Sequence, residues 1–199
     1  MIRTMLGRDR LETFDAGTLA GAGCFRCEEC GFAVALHERD EVPACPHCGG
    51  REFKRSSIFG ELNVTQEPIG THETARPDWL EEARMAIERA GYYLAFEDEQ
   101  LRVVELAERW TRIGRSLSAD IRFDDPTVSR RHAIVHRDGD TARILDDRSL
   151  NGVFVNGERV DMRTLGDGDD VTIGRFHLYF LEAAGTSVDQ RLSAPGAFA

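Results

Sequence analysis

Two short cysteine pairs, Cys27-Glu-Glu-Cys30-Gly31 and Cys45-Pro-His-Cys48-Gly49, constrain this chain more than any other feature. A two-residue gap lets both sulfurs of a pair reach one ion from a tight turn, and glycine after the second cysteine suits the positive φ such a turn tends to require. Two pairs complete a tetrahedral set of four thiolates. All five cysteines lie between Cys24 and Cys48, and an odd count in a reducing compartment argues for metal ligation over a disulfide framework. The surrounding stretch is short and rich in Gly and Cys, with the strand-like alternation Phe32, Val34, Leu36. Apolar burial alone cannot fold so small a unit, so it needs a metal or a similar staple.

On these residues the segment 20–58 resembles the zinc-ribbon family, with Cys27, Cys30, Cys45 and Cys48 as the ligands of one structural zinc. Four protein ligands leave no open position for activating water. An iron site would use the same ligands, but nothing hints at a redox partner. Cys24 makes a competing Cys24-x-x-Cys27 pair, and the sequence leaves both pairings open; Cys27 with Cys30 is preferred because only that pair is followed by Gly. His37 and His47 lie close enough in sequence to replace a thiolate and are read as surface residues. The ribbon carries no basic stripe: Arg51, Lys54 and Arg55 are opposed by Glu28, Glu29, Glu38, Asp40, Glu41 and Glu52.

The remaining length, out of 199 residues, suits one further domain of ordinary size. A hydrophobic fraction of 41% supports a core, yet no apolar run approaches a membrane span, and residues 1–15 lack the apolar stretch of a secretory signal. The expectation is a cytoplasmic protein without a membrane partner. A formal charge of −10 repels polyanions, so nucleic acid is disfavoured as a partner.

Residues 59–77 are polar, with two prolines and two glycines, and read as a linker. Trp79, Leu80, Ala83, Ala86, Ile87 and Ala90 keep helical spacing, with Asp78 as N-cap, Glu81 three residues on and Gly91 as stop; the pattern predicts a helix over 78–90. From Tyr92 short apolar or alternating runs recur every eight to twelve residues or so, separated by turn signals such as Asp138-Gly139-Asp140, Asn156-Gly157 and Asp167-Gly168-Asp169. That is the pattern of an all-β sandwich, over 91–182. The tail 183–199 is small, polar and expected to be disordered.

Within the β segment the alternation stops at Ile113-Gly114-Arg115, at Thr127-Val128-Ser129-Arg130-Arg131-His132-Ala133, and at Asp146-Asp147-Arg148-Ser149-Leu150-Asn151-Gly152, followed by Val153 to Gly157. In order and spacing, with Leu165 to Asp169 and Val171 to Gly174 behind them, these pieces resemble the forkhead-associated (FHA) domain. The resemblance implies a phosphothreonine-binding sandwich in which Arg115 and Ser129 contact the phosphate, Arg130 adds a contact, and Asn151 bonds the bound peptide's backbone. Guanidinium forks and a hydroxyl donor suit a dianion. Leu150 stands where many relatives carry a small hydroxyl residue, leaving that position its backbone N–H as a donor. Gly114 and Gly152 are read as turn glycines, His132 as a loop brace, Arg131 as facing either solvent or peptide, and Asn156-Gly157 as a hairpin turn. Ser129, His132 and Asp146 are rejected as a catalytic triad, because no strand-elbow-helix context surrounds the serine.

The implied function is a non-enzymatic adaptor that captures threonine-phosphorylated proteins made by a Ser/Thr kinase, with the ribbon as a second protein-binding surface. The alternative is a transcription- or nucleic-acid-associated factor that the phosphothreonine site recruits. Thr65, Thr71 and Thr74, just upstream of the reader, are candidate phosphosites for self-capture.

Overall fold

The computed structural model describes residues 13–56 and 76–184. Thr65, Thr71, Thr74, most of the expected linker and the expected tail beyond 184 lie outside the described residues.

The N-terminal unit is a four-stranded antiparallel sheet of β1 (Thr13–Asp15), β2 (Gly23–Cys27), β3 (Ala33–Leu36) and β4 (Glu52–Ser56), ordered β1-β4-β2-β3. It starts earlier than the expected residue 20, because β1 pairs with β4 and Phe14 sets its ring edge against Phe25 at 5.3 Å. Phe25, Phe53, Val34, Leu36 and Val42 form its small core. β3 is an edge strand, paired on one side only, Val34 opposite Phe25 and Ala35 opposite Cys24.

The second unit is a sandwich. Its five-stranded sheet has the order β13-β10-β9-β7-β8, with β7 (Trp110–Gly114), β8 (Ile121–Arg122), β9 (Ala133–Asp138), β10 (Thr141–Asp146) and β13 (Met162–Thr164). Its six-stranded sheet has the order β12-β11-β14-β15-β5-β6, with β5 (Gly91–Asp98), β6 (Gln100–Glu105), β11 (Val153–Val155), β12 (Glu158–Val160), β14 (Asp170–Ile173) and β15 (Phe176–Ala183). Leu94, Phe96, Ile113, Phe123, Val135, Ile144, Val171 and Phe180 fill the space between them. The all-β expectation holds, with one helix among the described residues.

That helix, α1 (Trp79–Met85), ends earlier than the expected 78–90. Ile87 N–H turns back to the Arg84 carbonyl and the Tyr93 hydroxyl donates to the Arg89 carbonyl, so the chain leaves the helix to enter β5. Asp78 stands at the N-cap without a side-chain capping bond. Leu80 and Ala83 bury against Tyr93, Ala95, Tyr179 and Leu181 on the outer face of the six-stranded sheet. This accounts for the unbroken apolar run Tyr92 to Phe96: one face of β5 meets the sandwich core and the other meets α1.

Candidate functional sites

Asn151, Gly152 and the segments 114–116 and 127–132 come together at one end of the sandwich, held by backbone bonds. Arg115 N–H donates to the Ser129 carbonyl at 2.9 Å, and Ser116 N–H to the Arg130 carbonyl at 3.1 Å. This close approach is what position 114 requires: Gly114 has no positive φ, but a Cβ there would collide with the Arg130 carbonyl oxygen. The turn-glycine expectation therefore fails at Gly114. Gly152 has a φ of +87°, a left-handed conformation that favours glycine.

His132 is fully buried, and both its ring nitrogens serve the backbone. Nδ1 accepts from Ser129 N–H at 3.0 Å, which leaves the proton on Nε2 to donate to the Gly152 carbonyl at 3.1 Å. Burial holds the ring's pKa below its ordinary value. Neither nitrogen engages the Ser129 hydroxyl.

Ser129 Oγ instead accepts from Leu150 N–H at 3.0 Å, which keeps the hydroxyl proton free to donate. The Leu150 amide, expected to be an available donor, is thus committed to Ser129. Asp146 organises the loop from below: it accepts from both Ser149 N–H (2.7 Å) and Ser149 Oγ–H (3.0 Å), and Ser149 Oγ accepts from Gly152 N–H at 2.8 Å. Arg131 faces Asp147, with nitrogen-to-oxygen distances of 2.7 and 2.8 Å. A cleft of about 350 Å³ beside the loops is lined in part by Arg112, Ser116, Ser118, Arg130 and Arg131. The Arg130 side chain is exposed there and makes no hydrogen bond among the described residues.

Arg115 and Asn151 are occupied from outside the sandwich. Arg115 Nη1 donates to the Ala35 carbonyl of β3 at 2.7 Å, while its Nε is buried with no hydrogen-bond partner among the described residues. Desolvation lowers the pKa of this guanidinium, opposed by Asp40, Asp124 and Asp125. Asn151 is buried; Oδ1 accepts from Ala33 N–H, and Nδ2 donates to the carbonyls of Ala33 and Thr127. Asn156 and Gly157 both take positive φ, 53° and 79°, in the hairpin turn between β11 and β12.

In the N-terminal unit the sulfurs of Cys27, Cys30, Cys45 and Cys48 lie within 4.8 Å of one another, with Cys27 to Cys48 at 3.6 Å and Cys30 to Cys45 at 3.5 Å. A tetrahedral ion with sulfurs at about 2.3 Å needs them roughly 3.8 Å apart, so the set fits zinc. Gly31 and Gly49 both have positive φ and donate to the Cys27 and Cys45 carbonyls, closing the two knuckles. Cys24 stays outside the cluster and receives a bond from Ser56 Oγ at 3.7 Å. His47 stacks on Phe32 with ring centroids 5.8 Å apart.

Residues 111–174 match the FHA domain family, and residues 6–57 match a family described as a zinc-ribbon containing domain. The chain therefore carries an FHA domain preceded by a zinc ribbon. It is 44% identical over 79 residues to the oxoglutarate dehydrogenase inhibitor of Corynebacterium jeikeium, a match covering 40% of this chain and 55% of that protein. It is 49% identical over 71 residues to the glycogen accumulation regulator GarA of Mycolicibacterium smegmatis, covering 36% of this chain and 45% of that one. The chain thus spans about half the length of these curated relatives. Among solved structures, Mycobacterium tuberculosis EmbR in complex with a low affinity phosphopeptide is 40% identical with a TM-score of 0.46, over 49% of this chain and 26% of that one. Among the described residues no helix is long and apolar enough to cross a membrane.

Proposed function

We propose that this chain is a phosphothreonine-dependent adaptor, acting in the cytoplasm on proteins phosphorylated by a Ser/Thr kinase, with one zinc ion holding its ribbon as a second interaction module. The observation that carries the reading is the convergence of Arg115, Ser129 and Arg130 on one loop cluster, with the Ser129 proton and the Arg130 guanidinium left without an acceptor among the described residues. Two guanidinium groups and a hydroxyl donor are the equipment a dianion needs. The amide of Asn151, able to donate and accept at once, suits the backbone of an extended peptide. The FHA family match over 111–174 supports the assignment, and the relatives named as an inhibitor and a regulator favour a regulatory role over catalysis.

Thr65, Thr71 and Thr74 belong to the same reading as tethered ligands: phosphorylation of one would close the reader to outside peptides. A loss of peptide affinity after kinase treatment, with the phosphate mapped by mass spectrometry, tests that step.

The main test is calorimetry with a threonine-phosphorylated peptide and its unphosphorylated twin. Capture of the phosphorylated form alone is expected, and Arg115→Ala should weaken it by about tenfold or more, since a charge-assisted bond contributes about 1.5–3 kcal/mol. Equal affinity for both peptides overturns the reading.

A further inference from the structure

Among the described residues the outer edge of β3 has no strand partner within the ribbon sheet. An open edge offers a row of unpaired backbone groups, and a natural protein covers it. Here the cover is the sandwich's own loop cluster. Ala33 donates its N–H to Asn151 Oδ1 at 2.8 Å and accepts Asn151 Nδ2 on its carbonyl at 2.8 Å. Two residues on, Ala35 donates to the Pro126 carbonyl at 2.8 Å and accepts Arg115 Nη1 at 2.7 Å. The spacing of two is the strand period: alternate residues turn their backbone groups to the same edge, while the intervening Val34 stays buried in the ribbon core. β3 therefore lies on the FHA domain as an extended peptide would.

We propose that β3 of the zinc ribbon is a built-in occupant of the peptide groove, which a phosphothreonine peptide must displace to bind. The proposal rests on the phosphothreonine reading and adds its regulation. Asn151 has its oxygen and both amide protons engaged, to Ala33 and to Thr127, so no face of that amide is left for a second backbone. Arg115 is similarly tied to Ala35. β3 carries no phosphate; the strongest acidic influence on Arg115 is the ribbon's Asp40, a single carboxylate. Ser129 and Arg130 contribute no side-chain bond to the ribbon among the described residues. A phosphopeptide would add contacts to Ser129 and Arg130 that β3 lacks, whereas an unphosphorylated peptide offers only what β3 already supplies. The ribbon thereby raises the threshold for entry and sharpens selection for phosphate.

Ala35→Pro in the full chain tests the displacement. The Ala35 N–H points away from β2, an edge position where proline is tolerated, and the substitution removes the bond to Pro126. Metal content and amide exchange in β2 and β4 verify that the ribbon stays folded; Asp40→Asn serves as a second variant outside the strand. A binding-competent fraction of a tenth raises the apparent dissociation constant about tenfold, so Ala35→Pro should bind a phosphothreonine peptide about tenfold more tightly than the wild type. Saturating the wild type with peptide should accelerate exchange at Ala33 and Ala35. Equal or weaker binding by both variants, or undiminished protection of Ala33 and Ala35 with peptide bound, overturns the proposal. If neither wild type nor variants prefer the phosphorylated peptide, the phosphothreonine reading falls and its regulation with it. The docking itself is scored separately: Asn151→Ala should speed exchange at Ala33 without any peptide, and unchanged exchange there overturns the contact.

Discussion

His132 shows how one side chain sets the geometry of a surface it does not reach. Its ring spans from Ser129 N–H to the Gly152 carbonyl, fixing the two loops relative to each other. His132→Phe keeps the ring and removes both bonds, so the protein should lose about 1–3 kcal/mol for each buried group left unpaired. The pH dependence has a definite sign. The folded ring's pKa lies below its ordinary value, so on acidification the unfolded chain takes up the proton first. The stability His132 contributes is present above about pH 6.5 and declines as pH falls from there towards the folded value. Urea denaturation at pH values above and below about 6.5 should show a smaller penalty for His132→Phe at the acidic end, and a constant penalty contradicts the lowered pKa of the buried ring. The loop motif that contains His132 was legible in the sequence. The commitment of Leu150 N–H and the close packing at Gly114 were not, because both depend on which backbone passes alongside in three dimensions.

Among the elements, α1 is packed as part of the sandwich. Leu80 sits at 2% exposure against Tyr93 and Tyr179, and Arg84 pairs with Asp167 at 2.9 Å on the turn before β14. Leu80→Ala should cost about 2–4 kcal/mol by denaturation and expose the amides of β5 and β15 to faster exchange, while leaving phosphopeptide affinity unchanged, since α1 packs on the outer face of the other sheet. Strands with one buried face or two announced themselves through alternation or unbroken apolar runs, as at Tyr92 to Phe96. β12 and β13 did not: Glu158–Val160 and Met162–Thr164 are three-residue edge strands whose exposed polar residues carry no period. The end of α1 was misplaced because Ala86 to Ala90 suit a helix intrinsically, and only the entry into β5 overrides them.

For the molecule as a whole, the two units draw stability from different sources. The sandwich has a continuous apolar core, whereas the ribbon closes around four cysteines with a small cluster beneath them. One metal ion per chain is expected by elemental analysis. A strong chelator should abolish amide protection in β2, β3 and β4 and leave the thermal transition of the sandwich in place. Loss of both together would mean that the sandwich also depends on the metal. The cysteine spacing announced the four-cysteine cluster from sequence. The contact between the units could not be read there: Ala33 and Asn151 meet across 118 residues, and neither residue's own surroundings in sequence mark the other.

β3 has two edges and uses both, one against β2 in the four-cysteine unit and one against Asn151 and Arg115. Thermodynamic reciprocity then applies. If an occupied metal site favours the docked strand and the docked strand opposes the peptide, peptide capture must weaken the hold on the metal by the same factor. Under that condition such a chain would report capture of a phosphorylated peptide as a change in metal affinity, and metal supply as a change in the peptides it retains.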